Sequence, residues 1–378
     1  MCHGHRQGTL RVIALHEIPS DCRLRESWNA LVEQTENPQV FYRYEWAVAV
    51  QSAYGHSLRP LIFLFYDGDA LVGIAPLATS GSADRACFLA ASTADYCDVL
   101  SRPENRQHIW NCLLRELNKQ NINTLVLANL PADSATAGLV RRANGFHSHI
   151  RVAYDCAGVV LGTAEERSAL KCALQKKKVY RRAVRQMTAE GLEVIHLQNH
   201  SEVSRCLAEF YEAHIARFRA SGRKSNLEDP ARRHFLNELA SELCASRLLV
   251  LSCLRVREVP IAWNYGFRFH GSWFWYQPTF AASHERFSPG FSLLGKIIEA
   301  SCDDPDIARV DLGLGAEEYK ERFATATRRT LYATLQRSPV HHVKTAMRHR
   351  LTSFVKQSPY VERKIRAVVN YTREPRAL

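Results

Sequence analysis

The chain has cysteine but no cysteine pairing pattern: none of its 11 cysteines stands in a Cys-x-x-Cys pair. That excludes ordinary zinc spacing and a regular disulfide framework, and reduced thiols are expected. Cys2, His3 and His5 sit at a terminus that is expected to fray, so no metal site is assigned. No apolar run reaches about 18 residues, so no membrane-spanning helix is expected. Met1-Cys2-His3-Gly4-His5-Arg6 leads into no apolar signal core, which points to a cytoplasmic protein. There is no low-complexity linker and no repeat at the residue level. No Ser or Cys stands in a nucleophile-elbow context, which leaves no covalent nucleophile of that kind.

What the chain does have is length and an uneven charge. Its 378 residues, 46% hydrophobic, suit two domains or one duplicated unit with a sizeable core. Residues 1–160 hold 14 Lys/Arg against 15 Asp/Glu, whereas the whole chain carries +12. The excess is concentrated in 171–185 and 340–378, so it marks particular surfaces. Strands alternating with helices give an α/β reading. Helices are expected over Leu24 to Thr35, from Phe41 to near Gly55, and over Asn105 to Asn118 and Ala135 to Arg142. A hairpin is expected over Arg59 to Phe65 and Leu71 to Ala78, turning at Asp67-Gly68-Asp69. Phe41, Trp46 and Val50 read as core. Short strands at Ala86 to Leu89 and Tyr96 to Leu100 flank the loop Ser92-Thr93-Ala94-Asp95-Tyr96.

Ala164 to Glu190 reads as one long helix with Lys171, Lys176, Lys177, Lys178, Arg181, Arg182 and Arg185. Three readings stay open for this basic face: an anionic ligand, plain solvation, or nucleic acid. Two amphipathic helices and three aromatic-rich strands follow, the last over Trp273 to Phe280. Their tryptophans and tyrosines alternate, one face reading as core and the other as core or an apolar channel. Then comes Ser288-Pro289-Gly290-Phe291-Ser292, a Pro-Gly turn opening a helix. A helix start of this kind presents free N–H groups and the positive dipole end, so it can hold a phosphate; Ser288 or Ser292 can donate as well. An ordinary capped helix is the competing reading. Asp311 closes a buried strand pattern, where functional carboxylates of open α/β sheets lie; capping of the Gly313–Gly315 turn is the alternative. Beyond Pro339, Val343 to Lys356 and Tyr360 to Tyr371 read as basic amphipathic helices that dock on the protein or touch an anionic membrane surface.

Ser288-Pro289-Gly290, Asp311-Leu312-Gly313-Leu314-Gly315 and Glu317-Glu318-Tyr319-Lys320, in this order and spacing, resemble the GNAT-type acyltransferases of the CelD/BioF2-like group, relatives of the FemAB peptidyltransferases. The resemblance implies an α+β GNAT-like fold in two tandem halves with mixed central sheets: 1–160 without a cofactor loop, 161–338 as the acyltransferase half, and a basic helical tail from 339. It implies acyl transfer from an acyl-CoA-type thioester to an amine, such as an amino sugar or polysaccharide precursor, without a metal. The donor would rest on Ser288, Gly290, Phe291 and Ser292, with open strand backbone near Gln277 polarising its carbonyl. Tyr319-Lys320-Glu321-Arg322-Phe323 is similar to a Phe-Lys-x-Gly-Phe run of the FemAB enzymes. Lys320 would then stabilise developing negative charge, Tyr319 protonate the departing thiolate, and Asp311 take a proton or orient Lys320. Arg322 replaces the glycine of that run. Two alternatives follow from the same likeness: aminoacyl transfer from charged tRNA, with the basic helix touching RNA, and a binding protein that keeps the fold without turnover.

Overall fold

The computed structural model describes residues 9–315, 317–343 and Met347. Each half of the chain follows one plan. In the first, β1 (Arg11–Leu15), α1 (Cys22–Glu33) and α2 (Tyr44–Tyr54) precede the antiparallel pair β2 (Arg59–Asp67) and β3 (Ala70–Ser80). Gly68, at φ +58, makes the turn between them. Then come β4 (Ser82–Phe88), the short β5 (Leu100–Ser101), α3 (Arg106–Lys119) and β6 (Thr124–Pro131). β4 and β6 run parallel, Arg85 opposite Thr124. Parallel neighbours cannot be joined by a tight turn, so α3 serves as the crossover. A short α4 (Ala135–Val140) leads into β7 (His147–Val160).

The second half repeats the plan after α5 (Ala164–Lys176), α6 (Lys178–Ala189), β8 (Leu192–Leu197), α7 (His200–Ala220) and α8 (Pro230–Cys244). β9 (Leu249–Val256), β10 (Val259–Phe269) and β11 (Ser272–Phe280) are antiparallel. α9 (Pro289–Asp303) crosses over to β12 (Arg309–Asp311), parallel to β11. α10 (Glu318–Glu321) and β13 (Ala326–Gln336) complete it.

The α/β class holds, but the halves share one sheet instead of closing two. Its order is β1-β2-β3-β4-β6-β13-β7-β12-β11-β10-β9-β8, with β5 on β3, a 13-stranded mixed sheet. β13, from the second half, lies between β6 and β7 of the first and is antiparallel to both. β7 in turn pairs with β12. Each half therefore supplies a strand that the other needs.

The cores follow this exchange. Trp28, Trp46 and Phe41 of the first half are buried. Phe41 meets Phe274 of β11 edge-on at 5.4 Å, and Trp46 meets Phe235 of α8 at 5.4 Å. Such pairs add roughly 0.5–1.5 kcal/mol each beyond their burial. A second cluster lies beneath α6 and α9 and holds Tyr180, Leu294, Ile297 and Trp275. Gly295 makes it possible: a Cβ there would stand 2.2 Å from Tyr180 Cε2.

Two expectations change, and one open reading is decided in favour of core. The long helix over 164–190 is broken at Lys177 (φ −62, ψ 118). There the Lys177 ammonium donates to the Arg322 carbonyl and lies 5.5 Å from the centre of the Phe323 ring. Trp263, Tyr265, Trp273 and Trp275 are all buried, so these four are core on both faces, while Tyr276 lines a cleft. β7 was not anticipated, because its faces carry polar and apolar residues without clean alternation; pairing on both edges makes it a strand. The C-terminal helices expected from Val343 onward lie outside the described residues, save Val343 and Met347.

Residues 9–160 produced alone should lack cooperative thermal unfolding, since β6 and β7 lose the strand between them. A sharp melting transition of that fragment would contradict the shared sheet.

Candidate functional site

β11 and β12 pair only over Ser272–Phe274 and Arg309–Asp311. Beyond that they part. β11 continues to Phe280 against β10, with a register shift between Tyr265 and Phe267. The chain after Asp311 turns away through Gly313 (φ +71) and Gly315 (φ +97), positions that favour glycine. The β11 edge facing the gap thus leaves main-chain groups without a strand partner, the place near Gln277 to Phe280 where open backbone was expected.

At the fork, Asp311 is buried and saturated with donors. Its carboxylate accepts from the Tyr96 hydroxyl at 2.9 Å, Arg309 at 3.0 Å and the Gly313 N–H at 2.9 Å. Through the Gly313 N–H it shapes the turn. Lys320, also buried, donates from Nζ to the Leu314 carbonyl at 2.8 Å and pairs with Glu317 at 2.7 Å. It pins the other side of the same turn. Tyr319 faces away from them, its hydroxyl accepting from Trp275 Nε1 at 3.1 Å. Burial pushes its phenol up to about 12, so it holds its proton at neutral pH.

The expected donor anchor lies at the start of α9. Ser288 is in the left-handed region (φ 47, ψ 52), with Pro289 as the first helical residue. The N–H groups of Gly290 and Phe291, in the first turn, have no partner within the helix. A Cβ on Gly290 would meet Phe280 Cδ1 at 3.2 Å, so the approach is open because the residue is glycine. Arg217 lies over the Phe280 ring at 4.9 Å, and Phe291 packs on Phe323 at 4.5 Å, the ring that Lys177 covers. Two cations therefore flank the helix start. Ser292 is buried and its hydroxyl donates to the Phe287 carbonyl at 3.3 Å, which leaves Ser288 as the hydroxyl at the mouth.

The structure adds residues that the sequence reading passed over. A cleft of ≈ 520 Å³ is lined by Asp95, Arg232, Tyr276, Gln277, Leu314 and Tyr332 among others. Asp95, from the loop of the first half, is partly exposed. It lies so close to Gly313 that a Cβ there would be 2.6 Å from Asp95 Oδ2. Desolvation, then the neighbouring Asp311 charge, raises the Asp95 carboxyl to about 7, against the opposing pull of Lys320 and Arg232. The loop is held from both sides: Asn129 donates to the Ala91 and Ala94 carbonyls at 3.2 and 2.9 Å, and the Tyr276 hydroxyl donates to the Thr93 carbonyl.

Gln277 lines this cleft, with its side chain committed. Its Oε1 accepts from Arg232 at 3.2 Å and its Nε2 donates to His214 Nε2 at 2.8 Å. His214 is buried, and desolvation lowers its imidazole to about 3, so it is neutral. With Nε2 accepting, Nδ1–H donates to Ser225 Oγ at 2.8 Å, and the whole row is fixed. Gln277 thus lines one cleft with Asp95 and Leu314, while Asp311 and Lys320 hold the turn behind it through the Gly313 N–H and the Leu314 carbonyl. Tyr319 and the 288–292 turn lie on the α9 side of β11. The only sequence signal for Asp95 was an acid set among small residues in a loop.

Residues 175–321 match the family model described as an acetyltransferase (GNAT) domain. No curated protein matches the chain. Among solved structures, FemX is similar at a TM-score of 0.60 and 9% identity, covering 84% of this chain and 98% of that one. L-PGS from Bacillus licheniformis is similar at 0.53 and 12%, covering 86% and 95%. A conserved protein of unknown function from Bacteroides thetaiotaomicron is similar at 0.55 and 12%, covering 86% and 100%. At such identities the likeness is one of fold.

A carboxyl raised from an unfolded value of 3.8 to about 7 makes the native state the better proton binder between those values. Its contribution to stability is present below the lower value and lost as pH rises through the upper one. Asp95→Asn lacks this loss. It should gain roughly 2 kcal/mol over the parent protein between pH 5 and pH 8, read from denaturant melts. A pH-independent difference would remove the raised carboxyl.

Proposed function

We propose that this chain transfers an acyl group from a coenzyme A thioester directly to an amine lying in the cleft, with Asp95 as general base. The observation that carries the reading is a partly buried carboxyl, raised to about 7, set at the fork of a GNAT-type sheet. An amine attacks only as its free base, and a base poised near neutrality takes the proton most effectively. The new C–N bond forms as the C–S bond breaks, the amine proton passes to Asp95, and the departing sulfur takes a proton from Tyr319. Lys320 and the free main-chain edge of β11 place positive charge where the carbonyl oxygen gains electrons. Asp311 positions Lys320's turn through Gly313.

The donor fits the start of α9. Gly290 and Phe291 N–H groups with the Ser288 hydroxyl would receive its diphosphate, and Lys177 and Arg217 would add charge. When bound, the donor supplies an activated acyl group. The CelD/BioF2-like resemblance adds a cytoplasmic enzyme of polysaccharide-precursor metabolism with an amino-sugar type of acceptor.

One observation favours a second reading, an aminoacyl-tRNA donor. Lys176, Lys178, Arg181, Arg182 and Arg185 are exposed and have no ion pair among the described residues. Phosphate contacts on such a face would make binding fall steeply with salt.

Asp95→Asn should lower kcat by about 100-fold and abolish the rise of kcat/KM through pH 7. A retained rise would exclude Asp95 as the base. Gly290→Val should weaken donor binding by about tenfold or more, from the close Phe280 contact, in calorimetry with coenzyme A. Unchanged affinity would move the donor elsewhere. Coenzyme A should raise the melting temperature of the protein, and tRNA should not; the reverse pattern would favour the second reading.

A further inference from the structure

Arg232 is an unusual lining for an amine site. It is 7% exposed, yet its side-chain partners are neutral: the Tyr276 hydroxyl at 2.7 Å, Gln277 Oε1 at 3.2 Å and the Tyr54 hydroxyl. Its Nε, also buried, has no hydrogen bond. No carboxylate stands within ion-pair distance of it among the described residues. Buried cations are normally paired, because a lone charge out of water is costly. The arginine is not held there by accident of packing either. It lies over the Phe235 ring at 5.2 Å and the Tyr276 ring at 5.4 Å, and Gln277 is locked in place by His214.

Asp95 is its natural opposite. The two line the same cleft and feel each other electrostatically, but they do not form an ion pair. A cleft that keeps an acid and a base on its walls without joining them is complementary to a molecule carrying both charges.

We infer that the acceptor is a zwitterion, an amine that also bears a carboxylate, with its ammonium at Asp95 and its carboxylate toward Arg232. This rests on the acyl-transfer reading only for the fate of the amine; binding of the zwitterion stands without it. A guanidinium recognises a planar carboxylate through directed N–H groups, which a hydroxyl or amide cannot replace. Amino acids and carboxylated amino sugars both belong to this class, and glucosamine does not.

The test is calorimetric binding to the full-length protein of a panel of amino acids, their carboxamides and glucosamine. At least one amino acid should bind about tenfold or more tightly than its carboxamide and than glucosamine. Arg232→Met should bring acid and amide to within about twofold of each other. Asp95→Asn should weaken both by a similar factor, because each keeps the amine. Equal affinity of acid and amide for the unaltered protein, or no binding of any carboxylated amine, would overturn the inference, and neither result depends on the variants folding. Thioester turnover is assayed in parallel. Zwitterion binding without turnover would reject acyl transfer and leave this inference intact, whereas turnover without carboxylate preference would do the opposite.

Discussion

Gly313 has no side chain and a φ of +71, and the Asp95 carboxylate occupies the space a Cβ would take. Almost every functional feature depends on this contact. It joins a loop of the first half to the fork of the second. It places Asp95 out of water and beside Asp311, and desolvation first, then the Asp311 charge, raises the Asp95 carboxyl to about 7. Asp311 itself is paired with Arg309 and hydrogen-bonded to Tyr96, so the two carboxylates sit in different surroundings. A side chain at Gly313 would separate them.

The shared sheet explains how two halves hold so short a contact. β13 between β6 and β7, and β7 between β13 and β12, leave no seam along which the halves could drift. Phe41 and Trp46 press the first half onto β11 and α8 from the other side. Tyr276 and Asn129 then tie down the Asp95 loop itself. A carboxyl proposed to move a proton needs positioning within fractions of an ångström, which these bonds give to a loop that would otherwise be free.

Much of this could be read from the sequence, for definite reasons. The Pro-Gly start of α9, the strand ending at Asp311 and the two-glycine turn are local signals, and they fell where expected. Lys320 stands in the motif that the sequence singles out, and in the fold it is buried, bonded to the Leu314 carbonyl and Glu317. Asp95 was not legible. Its raised carboxyl comes from desolvation and from a neighbour more than two hundred positions away, which no spacing rule reports. Arg232 was hidden for the same reason: in sequence it is one basic residue in the first turn of a helix. The break at Lys177 escaped the helical pattern because a tertiary contact, with Arg322 and Phe323, sets it.

The most direct measurement is difference infrared spectroscopy of the Asp95 carboxyl, taken as the pH-dependent signal lost in Asp95→Asn. A protonated carboxyl band that disappears with a midpoint near 7 is the expected result. A midpoint near 4, the value of an ordinary solvated aspartate, would contradict the desolvation of Asp95 beside Asp311 on which the proposed proton transfer depends.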